Sequence, residues 1–261
     1  MNKSSFCLLV IFGLFFTSCV PTKDLIYLQN KNNSETSNAV NPVILKPYRL
    51  QSNDVVSITI KANDPKLVTM FSSSAGSTAQ SDIGLYFEGY TVDDHGNIRI
   101  PVLGLINVMG YTLDEVRLMV EKKLLEEYFN KEANIFVTVK LAGLRYTING
   151  EIAAPGTKTL YQEKVNILEA IANSGDITIT GNRKAVSIIR QYPHGTEIHD
   201  IDLTDIKAMQ SPYYFVQPND YIYIKPLKQK SWGTGKTGIE SIGTIITILS
   251  LATTTLLFIK K

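Results

Sequence analysis

Leu50-Gln51-Ser52-Asn53-Asp54-Val55-Val56-Ser57-Ile58 and Val216-Gln217-Pro218-Asn219-Asp220-Tyr221-Ile222-Tyr223-Ile224 follow one frame. Each reads apolar, Gln, any residue, Asn, Asp, any residue, aliphatic, any residue, Ile. An Asn-Asp pair favours a tight turn, because its short side chains bond to nearby backbone. The alternation that follows each pair has the period of a strand, and Val56, Ile58 and Ile60 share one face. A turn feeding a strand therefore occurs near each end of the central region. Two explanations stay open: a duplicated module, or a common turn–strand unit met twice.

Working outward from the first copy, Leu85 to Val92 reads as strand. Asp94-His95-Gly96-Asn97 is a turn joining it to Ile98-Arg99-Ile100 as a hairpin. Residues 72–82, rich in Ser, Ala and Gly, read as a loop. Thr112-Leu113-Asp114-Glu115 is a capping box that starts a helix running to about Tyr128, with Leu113, Val116, Val120 and Leu124 on its apolar face. Ile135 to Leu141 is strand. Before the second copy come a strand at Tyr146–Gly150, a turn at Pro155-Gly156, a helix over Asn166–Asn173, and strands at Ala185–Arg190 and Glu197–Asp202. Tyr221–Lys225 follows. Each half is thus one helix wrapped by strands, and the fold class is α+β.

The charge balance, 26 Lys and Arg against 24 Asp and Glu, is dispersed and holds no basic block of the kind nucleic acid demands. There is no P-loop, dinucleotide fingerprint or paired-cysteine motif. After processing the chain is ~240 residues, enough for two modest domains.

Both ends point to a membrane. Lys3 followed by the apolar run Phe6–Phe16 reads as a secretory signal, too short to span a bilayer. Phe16-Thr17-Ser18-Cys19 resembles a bacterial lipoprotein box, with Phe16 in place of the usual leucine. The resemblance implies cleavage before Cys19 and a lipid on its thiol; a secreted protein with a free thiol is the alternative. Cys7 leaves with the signal, so Cys19 has no partner in the chain. One acyl chain anchors only marginally. Residues 29–41 are polar and read as a tether to the first fold. At the other end, Ile242–Ile259 carries no charge and is long enough as a helix to cross a bilayer. Gly243, Thr247, Ser250 and Thr254 form a small, weakly polar stripe on it. That stripe reads either as a close-packing face or as the wall of a shared aqueous lumen. Trp232, Lys260 and Lys261 are interface candidates. A stop-transfer helix in an inner membrane is the rival topology.

The same segments resemble the Wza-like polysaccharide export proteins of bacterial outer membranes. Tyr48-Arg49-Leu50 with Asp54 and Ile58, then Val92-Asp93 to Gly96, Ile98, Ile100-Pro101, Gly104, Ile106, Val108, Gly110, Thr112 and Glu115, carry the likeness to the export domain. Gly150-Glu151-Ile152, Pro155-Gly156, the helix near Ile167–Ala172, and Val216–Pro226 carry a likeness to the β-grasp-like SLBB domain. Family members usually have Gly where Asn53 and Asn219 stand, and Asn suits the same positive-φ position. The implied layout is a signal peptide at 1–18, a lipidated N-terminus and tether at 19–44, the export domain at 45–143 and the SLBB domain at 144–228. A linker at 229–238 and a single C-terminal transmembrane helix at 239–261 complete it. The resemblance implies a non-enzymatic translocon subunit in a homo-oligomeric ring, lipid-anchored in the outer membrane with its domains in the periplasm. Its C-terminal helices would line a barrel, its C-terminus would reach the cell surface, and no cofactor would be needed beyond the lipid on Cys19. Implied partners are the exported capsular or exopolysaccharide, outer-membrane lipid, and an inner-membrane co-polymerase or chain-length regulator. A periplasmic glycan-binding or adaptor lipoprotein is the second reading, and a glycan hydrolase the third.

Residues with other chemistry fit structural roles better. His194, His199, Asp200, Asp202 and Asp205 read as a solvated sheet face rather than a metal cluster. Asp93, Asp94 and His95 read as turn residues. Glu121, Glu126, Glu127 and Glu132 read as the charged helix face and its end rather than an acid pair. Tyr213, Tyr214, Phe215, Tyr221 and Tyr223 read as packing aromatics.

Overall fold

The computed structural model describes residues 21–31, 47–63, 71, 88–129, 134–192, 194–228, 230 and 238–259. The first module contains β1 (Val55–Lys61), β2 (Tyr90–Thr91), β3 (Asn97–Ile100), β4 (Gly104–Asn107), α1 (Leu113–Glu127) and β5 (Phe136–Leu141). β1 lies between β2 and β5, antiparallel to both, and β3 and β4 form a separate hairpin. α1 starts on a complete capping box. The Thr112 hydroxyl accepts from the Glu115 amide at 3.2 Å, and the Glu115 carboxylate accepts from the Thr112 amide at 2.7 Å. Val116, Val120 and Leu124 on one side of α1 are buried with Val56, Ile98, Ile100 and Val137 in a single core.

The second module contains β6 (Leu144–Gly150), β7 (Gly156–Leu160), β8 (Val165–Asn166), α2 (Ile167–Ala172), β9 (Gly181–Tyr192), β10 (Gly195–Ile201), β11 (Phe215–Val216) and β12 (Tyr221–Pro226). Five of these strands form one sheet in the order β10-β9-β12-β6-β7. The central strand β12 is parallel to its neighbour β6, and the other pairings are antiparallel. The parallel pair needs a crossover, and the chain between β6 and β12 includes α2. Asn166 caps that helix with Glu169 reciprocating, and the buried Tyr146 hydroxyl donates to the Ala170 carbonyl at 2.8 Å. At the end of β6 a side chain on Gly150 would meet the Ile224 carbonyl oxygen at 2.1 Å, so the close approach of β6 and β12 requires glycine there.

The expected hairpin of Leu85–Val92 with Ile98–Ile100 differs from what forms. The turn exists, with the Asp93 carboxylate accepting from the His95 and Asn97 amides at 2.9 and 2.8 Å. The strand partners, however, are β2 with β1 and β3 with β4. Val102 (φ 67°) and Gly104 (φ 76°) turn the chain back on itself after Pro101, which hands the β3 ladder to the following segment. Residues 85–87 and the loop at 72–82 lie outside the described residues.

Of the residues expected to form a tether at 29–41, the first three pack on the second module. Residues 32–41 lie outside the described residues, but residues 21–31 pack on the second module. The Leu28 amide donates to the Leu203 carbonyl at 3.0 Å, the Gln29 amide to Thr204 at 2.8 Å, and Gln29 forms a parallel bridge with Asp205. Tyr27 and Leu28 pack against that module's core. The Tyr27 hydroxyl bonds to the Asp176 carboxylate at 2.5 Å beneath the Arg183 guanidinium, 5.3 Å from the ring centroid. Lys184–Asp24 at 2.7 Å and Lys31–Asp202 at 2.8 Å close the flanks.

The terminal segment forms α3 (Gly238–Ile259), 22 residues. The expected transmembrane helix at 239–261 finds no support here: among the described residues no helix is long and apolar enough to cross a membrane. Gly243, Thr247, Ser250 and Thr254 are all exposed on this helix. The Thr247 hydroxyl donates to the Gly243 carbonyl at 2.8 Å, and Thr254 to Ser250 at 2.6 Å. Thr247 and Thr254 thus spend their hydroxyl protons on the helix's own backbone. Cys19, Trp232, Lys260 and Lys261 lie outside the described residues.

Candidate functional site at the junction of the two modules

The two Asn-Asp turns have the same internal geometry. Asn53 (φ 69°) and Asn219 (φ 65°) both occupy the left-handed region, where a glycine is at ease and Asn is tolerated. The Asp54 carboxylate accepts from the Gln51 amide at 2.8 Å, and Asp220 accepts from the Gln217 amide at 2.7 Å. The backbone amide of each Asp points back to the Gln carbonyl, at 3.3 and 3.2 Å. Both carboxylates are buried, with Asp54 at 3% exposure and Asp220 at 1%.

The turns meet each other: the Asn219 side-chain amide donates to the Asp54 carboxylate at 3.3 Å. The similarity visible in the sequence therefore becomes a contact between modules. Each turn is also pinned to its own sheet, Asn53 to the Val92 carbonyl at 2.9 Å and Asn219 to the Arg145 carbonyl at 2.6 Å.

The partners of the two carboxylates differ. Arg190, from β9, holds Asp220 with two bonds of 2.8 and 2.7 Å and donates a third to the Phe215 carbonyl at 3.0 Å. Burial opposes the Arg190 charge, yet bonding to Asp220 more than offsets it and raises its pKa. Burial pushes Asp220 up against the pull of the guanidinium. With both oxygens bridged, the pair is ionised at neutral pH. Asp54 has a phenol where Asp220 has a cation: the Tyr48 hydroxyl donates to it at 2.7 Å. Burial raises the Asp54 pKa against the bonds from the Gln51 amide and Tyr48. Burial, then the Asp54 charge, raises that of Tyr48.

Beside the junction lies a cleft of about 550 Å³ between the modules. Gln51, Gln191 and Gln217 line it with Arg49, Met109 and Tyr192. Arg49 is engaged with the Gly110 carbonyl at 2.6 Å and Glu115 at 3.4 Å. Next to the cleft, the β9–β10 hairpin carries a polar cluster. Glu197 accepts from the Tyr213 hydroxyl at 3.0 Å and pairs with His199 at 3.0 Å and His194 at 3.2 Å. These bonds, His199 first, hold the Glu197 carboxyl down at about 2. His199 stacks on Tyr213 with centroids 3.8 Å apart, and Arg190 lies over the other side of the network, 5.3 Å from the Tyr213 centroid.

The residues weighed as metal ligands do not come together. His194 and His199 turn to Glu197, Asp200 faces Ser187 and Lys225 at 2.6 Å each, and Asp202 bonds Thr204 and Lys31. Among the described residues no cluster of three such groups is placed to hold a metal ion. Glu121 pairs with Arg117 at 3.0 Å and Glu126 with Lys122 at 3.8 Å, both along α1; Glu132 lies outside the described residues. Tyr214 is buried in the core, and the Tyr221 hydroxyl accepts from Asn149 at 3.0 Å. Sequence reasoning missed Arg190, Gln191 and Tyr192. The paired Gln51 and Gln217 were visible in the repeated frame, and they mark the same place.

Residues 44–141 match the family described as polysaccharide biosynthesis/export protein. Among curated proteins the chain is similar to the EPS I polysaccharide export outer membrane protein EpsA of Ralstonia nicotianae (strain ATCC BAA-1114 / GMI1000). That likeness is 26% identity over 159 residues, 58% of this chain and 41% of the relative. It is also similar to the protein of the same name in Ralstonia solanacearum, 27% identical over 149 residues, 55% of this chain and 39% of the relative. The chain therefore spans about two fifths of the length of the curated relatives it matches. With these matches the resemblance to the polysaccharide export family is a finding, carried by the first module.

Proposed function

We propose that this chain, which carries a polysaccharide export domain over residues 44–141, is a non-enzymatic subunit of an outer-membrane translocon for capsular or exopolysaccharide. Copies assemble as a closed ring in the periplasm, with the second module as a β-grasp-like SLBB domain. A lipid on Cys19 and α3 fix each copy to the outer membrane. The α3 helices associate as a barrel, the stripe Gly243, Thr247, Ser250 and Thr254 turned to the lumen and the aliphatic side chains to lipid. Trp232 sits at one interface, and Lys260 and Lys261 lie beyond the other, at the cell surface. A closed ring leaves no polar stripe in hydrocarbon, and hydroxyl oxygens offer a passing sugar chain weak, exchangeable contacts. An inner-membrane co-polymerase or chain-length regulator delivers the polymer.

The observation that carries this reading is where the two ends of the soluble region meet. The N-terminal segment reaches Asp176 and Arg183 through Tyr27. The chain leaving β12 reaches the same loop: the Leu227 amide donates to the Thr180 carbonyl at 2.8 Å, and Lys230 pairs with Glu151, which also holds Thr178 and Thr180. Both routes toward a candidate anchor thus leave one pole of the second module. The module junction is at the opposite pole, because β9 runs from Gly181 in that loop to Arg190 and Tyr192 at the junction. Twelve residues of strand span about 36 Å. Two anchors at one pole favour a molecule standing upright on a membrane, export domain outermost from it.

The test is a tag placed after Lys261, probed on intact cells, together with the mass of the detergent-purified particle. A tag labelled from outside and a particle of several copies are the expected results. A tag reached only from the cytoplasm, or a solitary chain in detergent, overturns the translocon and leaves a periplasmic adaptor or glycan-binding lipoprotein.

A further inference from the structure

The two turns use only the backbone of their glutamines. The Gln51 and Gln217 amides donate to Asp54 and Asp220, and their carbonyls receive the Asp amides. Nothing in that geometry requires a glutamine side chain. Yet both copies carry one, and the contact between turns brings both to the same cleft, where Gln191 from the end of β9 joins them. Among the described residues none of the three side-chain amides takes a hydrogen bond. Three carboxamides lining one cleft of about 550 Å³, each offering a donor and an acceptor, are an arrangement built for a ligand rich in hydroxyls.

The remaining lining narrows the ligand. Among the described residues Arg49 is the one charged residue on the cleft wall, and its Nη1 donates to the Gly110 carbonyl at 2.6 Å and pairs with Glu115 at 3.4 Å. The carboxylates of Asp54 and Asp220 lie buried and fully bonded within the turns. The single charge on the wall is therefore already balanced by the Glu115 carboxylate, which favours a neutral ligand. Tyr192 lines the cleft as a half-buried ring held in a stack with His194, centroids 5.1 Å apart. A fixed aromatic ring beside convergent amides suits the apolar face and equatorial hydroxyls of a pyranose.

We propose that this junction cleft is a saccharide-binding site that holds a neutral pyranose segment through Gln51, Gln191 and Gln217, with Tyr192 as the ring platform. The site deepens the export reading and rests on it for the identity of the sugar: the ligand is a stretch of the transported polymer. Contact at the seam of the two modules means the bound segment touches both, so its occupancy reports on, and restrains, their relative position.

The experiment uses the full chain in detergent. Oligosaccharides obtained by mild acid fragmentation of polysaccharide extracted from whole producing cells serve as probe. Binding is followed by saturation-transfer NMR with a titration for Kd. Transfer to ring protons of neutral sugars is expected. The triple variant Gln51→Ala, Gln191→Ala, Gln217→Ala should bind at least about tenfold more weakly, from the loss of three neutral hydrogen bonds. Gln191→Ala alone, at an exposed position, should bind about threefold more weakly. Lys122→Ala, on the outer face of α1, should change nothing. Near-ultraviolet circular dichroism checks that each variant is folded. Unchanged affinity in the folded triple variant overturns the site. So does a particle that falls apart when the glutamines are removed, which would make the cleft a contact between copies. Binding abolished by the triple substitution in a chain whose tag is reached only from the cytoplasm would sink the translocon and keep the cleft; intact export with a glutamine-independent Kd would do the reverse.

Discussion

The two Asn-Asp turns are nearly identical in backbone and differ in what neutralises them. Asp220 lies under a guanidinium that binds both its oxygens, whereas among the described residues Asp54 is held by a phenol, two amides and no cation. The six shared positions of the frame are enough to dictate the turn, because Asn tolerates positive φ and Asp accepts from the amide three residues back. They do not dictate the energetics, which come from Arg190 and Tyr48, residues outside the second frame and ahead of the first. The strands that follow also diverge. β1 enters an all-antiparallel sheet, while β12 becomes the centre of a mixed one. A locally repeated instruction has been put to two tertiary uses, and the uses meet where Asn219 reaches Asp54.

The largest expected effect tests that difference directly. Arg190→Ala strands the Asp220 carboxylate in a buried site and should destabilise the folded chain by about 3–5 kcal/mol, read from urea unfolding of the second module. The stranded acid has a folded pKa above its unfolded value. The penalty is therefore present once the pH exceeds the unfolded pKa and is relieved as the pH falls below it, so the loss at pH 4 should be smaller than at pH 7. Tyr48→Phe removes one bond to a charged group and should cost about 1.5–3 kcal/mol. Equal costs for the two substitutions would mean that the turns are energetically alike after all.

Much of the fold was legible because its signals are local. The capping box at Thr112–Glu115, the face Val116–Val120–Leu124 and the alternation after each Asn-Asp pair need no distant partner, and each forms where the sequence places it. The misses share a cause. The partner of β3 depends on the left-handed Val102, a residue type that rarely adopts that region, so nothing in the string announces the hairpin. The N-terminal segment bridges Gln29 to Asp205 across most of the chain, through backbone groups that every sequence possesses. Polar composition made it look like a tether, while its anchors, Tyr27 and Leu28, were only two residues among many. The candidate cleft was half legible: the repeated Gln was in plain view, but its meaning depends on the turns facing each other, and Gln191 and Tyr192 arrive from the end of a 12-residue strand.

A smaller effect probes the contact between the copies. Glycine adopts positive φ freely, so Asn53→Gly should change stability by no more than about 0.5 kcal/mol. Asn219→Gly keeps the same turn but loses the bond to Asp54, and should cost about 1 kcal/mol. The difference between the two, measured by chemical unfolding with both modules present, is the worth of the junction bond. If the two glycine variants unfold together, that bond contributes nothing and the modules are joined by the cleft walls alone.

The smallest effect concerns the outer end of the second turn's support, for which the first turn has no counterpart. Arg190 lies over the Tyr213 ring, and Tyr213 donates to Glu197, whose carboxyl is held at about 2 by His199 first and then by His194 and Tyr213. A folded pKa below the ordinary value of 4.5 means stabilisation that is complete above the unfolded pKa and lost as the pH falls through about 2. Glu197→Gln removes it. The wild-type chain should therefore melt slightly above the variant at pH 5, and the gap should close as the pH is brought toward 2. Because the Glu197 side chain is 38% exposed, the gap should also shrink as salt is raised. A gap that persists at pH 2 would assign Glu197 a packing role, leaving the Arg190–Asp220 pair as the main electrostatic feature that separates the two turns among the described residues.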